Sequence, residues 1–148
     1  MTALTVRKDI PALRLAAIRR VNAICGLVRS RYITVAPGQD MIYLTKQAEA
    51  LRFLAAYPSP EAVPDPLDAT PATGFPFLVA EVGITAPTAW ALASLWVERT
   101  VLYRTLGAAI EAIRLGAVGA IESATVPAAI DAAEASVAGG LALLPEPG

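Results

Sequence analysis

Side chains able to do enzyme chemistry are scarce in this 148-residue chain, which has no histidine and a single cysteine, Cys25. Without histidine, the common Ser-His and Cys-His nucleophile pairs cannot be built, and a zinc site would depend on carboxylates. An intrachain disulfide is also excluded. Cys25 follows Ile24 in an apolar helical stretch, so we interpret it as a small core residue.

The carboxylates of the C-terminal half are too widely spaced for joint catalysis. Glu98, Glu111 and Glu122 are 13 and 11 residues apart on one predicted helix. At a rise of about 1.5 Å per residue they cannot share a proton or a metal ion, and we interpret them as solvated or ion-paired. The chain also has no Gly-rich phosphate loop and no Gly-x-Ser-x-Gly motif. We therefore predict a non-enzymatic protein without catalytic residues, cofactor or metal.

Cys25 and the three glutamates lie in segments that are predicted to be helices. Residues 1–8 read as a short extended arm, in which Thr2, Leu4 and Val6 alternate with their neighbours. Asp9 as N-cap and Pro11 in the first turn then open a helix that runs to about Arg31.

A second helix is predicted after the turn at Pro37-Gly38, with Asp40 as its N-cap and an end near Tyr57. Its apolar face is wide and consists of two rows, Leu44, Ala48, Leu51 and Ala55 and the neighbouring Tyr43, Gln47, Ala50 and Leu54. On the solvated side Lys46 and Glu49 are spaced to form an ion pair. The alternative is a β-hairpin with arms Tyr32–Val35 and Met41–Leu44, which the short β-rich runs also allow.

Six prolines between Pro58 and Pro76 exclude regular helix and favour an extended, polyproline-like connector. The predicted fold is therefore all-α, with a helical hairpin in residues 1–57, a connector in residues 58–76 and a helical segment in residues 77–148. That last segment has three parts: a short helix from Phe77 ended by Gly83, a long helix capped by Thr85, and a final helix from Ala128 that ends at Gly139-Gly140.

The long helix carries an apolar seam with alternating spacings of four and three residues. We predict that this seam needs cover from other helices and lies at or near a contact between subunits of a homo-oligomer. Arg99 also falls on the seam and would need a buried partner. The suspected contact residues are Leu92, Trp96, Tyr103, Leu106, Ile110 and Ile113.

Charge and hydropathy indicate partners rather than a membrane span. Residues 1–52 carry a net charge of +6 and the remainder −7, so the two parts can attract each other within the chain or between copies. The basic residues alternate with helix core positions and no aromatic platform accompanies them, which argues against nucleic acid. Hydrophobic residues make up 55% of the chain, yet the longest uncharged run, residues 82–97, has only 16 residues and contains Pro87. No membrane span is expected.

Two patches of the sequence resemble a module of tail and tail-fibre-associated proteins of bacteriophages. The first is RYITVAPGQDMIYLTKQAEA, in which the suspected module residues are Gly38, Gln39, Tyr43, Lys46 and Glu49. The second comprises Phe75 to Thr85 together with Ile110 to Arg114, and the resemblance covers most of the chain from about residue 11 to residue 121.

The resemblance implies a component that assembles with other phage tail proteins in the virion, after synthesis in the host cytoplasm, and it brings no catalytic residue. Three alternatives stay open at this point. One is a tail-fibre assembly chaperone that is missing from the mature particle, and another is a cellular helical interaction module. In the third, an ordinary helical domain, Tyr43 and Lys46 merely cover the core.

Overall fold

The computed structural model describes residues 8–33 and 38–146, and within these residues the chain is helical without a β-strand. The predicted all-α fold is confirmed. The helices are α1 (Ile10–Ser30), α2 (Gln39–Ala56), α3 (Pro76–Glu81), α4 (Ala89–Ser123) and α5 (Pro127–Ala142), with a 3₁₀ turn at Pro60–Ala62. The predicted extended arm and the arm Tyr32–Val35 of the alternative hairpin lie mostly outside the described residues.

The chain divides into two compact units. The first, here the α1–α5 unit, comprises Met1–Ile33 and Thr105–Gly148, and the second, the α2–α3 unit, comprises Thr34–Arg104. This division differs from the predicted boundaries at 57 and 76, because α1 and α2 contribute to different cores and residues 58–76 belong with α2. Helix α4 contributes its first half to one unit and its second half to the other.

Helix α1 begins and ends where the sequence predicts. The side chain of Asp9 accepts a hydrogen bond of 3.1 Å from the N–H of Ala12, and Pro11 lies in the first turn. The buried face of α1 packs with α4 and α5 into the core of the α1–α5 unit. This core contains Ala17, Val21, Cys25, Val28, Ile110, Ala117, Ile121, Ala124, Ile130 and Val137.

Helix α5 continues through Gly139-Gly140, where the sequence predicts its end. A Cβ at Gly140 would lie 3.2 Å from Cδ1 of Ile113, so this glycine permits a close approach to α4 rather than stopping the helix. The end of α5 and the residues after it dock on their own chain: Leu141 and Leu144 pack against the core, and the Tyr32 hydroxyl donates a 2.5 Å hydrogen bond to the Pro145 carbonyl.

Helix α2 replaces the alternative hairpin, because Met41 to Leu44 are helical. Gly38, at φ +78°, occupies the N-cap position, and Asp40 lies in the first turn instead of capping the helix. The buried face is formed by Glu49, Ala50 and Phe53. The predicted row that begins at Leu44 is exposed.

Helix α4 begins later than predicted, because its cap is Thr88 and not Thr85. The Thr88 Oγ1 accepts a hydrogen bond of 3.1 Å from the N–H of Ala91. Arg99 is exposed, so the predicted buried arginine is wrong: α4 turns this position to solvent. None of the described helices is long and apolar enough to cross a bilayer.

Residues 58–75 form a folded loop rather than an extended connector. The Asp68 carboxylate accepts hydrogen bonds from the N–H and the hydroxyl of Thr70, at 2.9 and 2.6 Å, which lowers its pKa. The Gly74 N–H donates to the Thr70 carbonyl and the Phe75 N–H to the Asp68 carbonyl, both at 2.7 Å. Val63 and Leu67 pack against the core of the α2–α3 unit, so the loop is held by this unit.

Gly74 has no room for a side chain, since a Cβ would lie 2.5 Å from the Asp68 carbonyl oxygen. We expect Gly74→Ala to lower the free energy of unfolding by about 1–3 kcal/mol, because backbone must shift to admit the methyl group. Gly119→Ala is the matched control, since Gly119 lies in α4 with nothing within 4 Å of its Cβ position, and it should leave stability unchanged or higher. Urea unfolding followed by circular dichroism measures both, and equal stability of the two variants would contradict the steric account.

Candidate interaction site

The suspected module residues Lys46 and Glu49 lie on the side of α2 that faces α3. Glu49 is 3% exposed, and its Oε1 accepts a 2.7 Å hydrogen bond from the backbone N–H of Leu78. Leu78 lies in the first turn of α3, where backbone N–H groups have no partner within the helix. The carboxylate therefore supplies the acceptor that the start of α3 requires, and α3 supplies the donor that a buried carboxylate requires.

Lys46 binds the opposite end of the same short helix. Its Nζ forms an ion pair with Oε1 of Glu81, the last residue of α3, and lies 5.1 Å from the centroid of the Trp96 ring. Both ionic side chains are largely covered, at 18% and 26% exposure, so solvent screens the pair less than one on the open surface. The predicted ion pair between Lys46 and Glu49 is wrong, because each side chain takes a partner on α3.

The other suspected module residues lie at the start of α2. Gly38 provides the left-handed turn, Gln39 is the first helical residue, and Tyr43 is half-buried. The five residues thus share one helix and its entry turn. Those whose contacts are known, Lys46 and Glu49, attach α3 to α2, which is a structural role.

Aromatic rings complete the contact between α2 and the folded loop. Phe53, Tyr57 and Phe75 meet edge to face, with ring centroids 5.2 to 6.0 Å apart. The Arg52 guanidinium lies over the Phe75 ring at 5.1 Å and donates a 3.0 Å hydrogen bond to the Gly74 carbonyl. Sequence reasoning missed Arg52, because its partners Gly74 and Phe75 are 22 and 23 residues away, at the end of the folded loop.

The α1–α5 unit holds a second polar cluster, centred on Glu111. Its carboxylate accepts hydrogen bonds from Arg114, at 2.5 and 3.0 Å, and from Arg29. Arg114 also donates a 3.0 Å hydrogen bond to Oδ1 of Asn22, so the cluster connects α1 with α4. The hydrogen bonds from Arg114 are the main reason that the pKa of Glu111 is lowered.

The polar groups described above are paired with one another or with backbone groups. Among the described residues no group of histidine, cysteine and carboxylate side chains could hold a metal ion. Burial raises the pKa of the Cys25 thiol, which keeps it in the less reactive protonated form. In both units the carboxylates accept hydrogen bonds that hold helices together.

The suspected oligomer contact is largely covered within the chain. Leu92 and Trp96 belong to the core of the α2–α3 unit, and Ile110 to the core of the α1–α5 unit, against which Ile113 packs. Leu106 is 3% exposed and Tyr103 is half-buried. The seam therefore has the cover that it requires, and substitutions such as Leu106→Asp would first disturb the fold.

Comparisons with protein-family models, curated proteins and solved structures found no match to this chain.

Removing the Glu49 carboxylate should destabilise the α2–α3 unit. We expect Glu49→Ala to cost about 1–3 kcal/mol of unfolding free energy, because the buried Leu78 N–H is left without an acceptor. Glu49→Gln keeps an oxygen acceptor and should cost less. Glu98→Gln, at an exposed position of α4, serves as the control. Urea unfolding of the three variants tests this, and a Glu49→Ala protein as stable as the control would show that the hydrogen bond contributes little.

The Glu111 cluster predicts a dependence of stability on acid pH. Because the folded-state pKa of Glu111 lies below its usual 4.5, its stabilisation is present above pH 4.5 and is lost as the pH falls through the lowered pKa. Glu111→Gln should therefore lower the urea midpoint at pH 7 and have a smaller effect near pH 3, because the wild type loses this contribution progressively as the pH falls below 4.5. The exposed Glu122→Gln is the control; an equal loss at both pH values would argue against an ionic contribution.

Proposed function

We propose that the protein is a non-enzymatic structural or assembly component of a bacteriophage tail, acting through contacts with other tail proteins. The resemblance of the α2 region and of the later patch to tail-associated proteins supplies the phage assignment. The observation that carries the contact function is the set of large apolar side chains that are exposed to solvent in the helices and the loops between them. Those at least half exposed are Leu15, Leu27, Met41, Leu44, Leu51, Ile84, Val101, Leu115, Val126 and Leu143.

The distribution of charge supports protein contacts over nucleic acid. Several basic groups of α1 already have partners within the chain: Arg20 forms a two-point ion pair with Glu134, at 2.6 and 2.9 Å, and Arg29 pairs with Glu111. The Arg14 guanidinium donates to the Ala124 carbonyl. These guanidinium groups hold α1 in its unit, which leaves a weaker basic surface for phosphates than the sequence count indicates.

Purified phage particles provide the test. We expect quantitative mass spectrometry to detect this protein in fixed proportion to known tail proteins after density-gradient purification. A host-cell protein of similar abundance in the lysate is the control for carry-over. Detection in the lysate together with loss from the purified particles would contradict a virion component and favour the assembly chaperone. Expression outside any phage or prophage gene cluster would favour a cellular interaction module.

A further inference from the structure

We draw no further inference here: the strongest candidate, the exposed apolar face of α2 that contains Met41, Leu44 and Leu51, carries none, because nothing in the described part of the structure shows what covers it.

Discussion

The hydrogen bond of the buried Glu49 carboxylate fixes which side of α2 faces α3. Because the carboxylate must reach the N–H of Leu78, the helix turns the side that bears Glu49 and Phe53 toward α3 and the folded loop. Lys46, one turn earlier on the same side, then meets Glu81 and Trp96. Once this side faces inward, the row that contains Leu44 and Leu51 must face outward. The exposed apolar row is thus a consequence of a polar contact in the core.

Electrostatic attraction between the two oppositely charged parts of the sequence is satisfied inside each unit. In the α1–α5 unit Arg20 and Arg29 on α1 find Glu134 on α5 and Glu111 on α4. In the α2–α3 unit Lys46 finds Glu81. In each unit, basic residues from the N-terminal third of the chain thus pair with acidic residues from the remainder. For these pairs, the predicted attraction within the chain is observed.

Local signals predicted the helices well, and contacts between distant residues explain where prediction failed. Asp9 and Pro11 specify the start of α1 through their own backbone chemistry, so sequence suffices there. The structural roles of Gly140 and Glu49 depend on contacts with Ile113 and Leu78, which are 27 and 29 residues away, respectively. By hydrophobicity alone, a face with leucines is a better candidate for the core than one with Lys46 and Glu49. The side of α2 that faces the core therefore could not be predicted without knowledge of the position of α3.

The exposed apolar residues of the chain do not lie on the seam of the long helix, where the sequence analysis expected them. The α4 seam is the most regular apolar pattern in the chain. It is buried in two separate cores, since Leu92 packs in one unit and Ile110 in the other. A regular seam indicates only that a helix needs cover, and the cover can come from the same chain. The exposed surplus lies instead on shorter runs, such as Met41, Leu44 and Leu51 of α2. Regular spacing of apolar residues therefore did not predict which of them would be exposed.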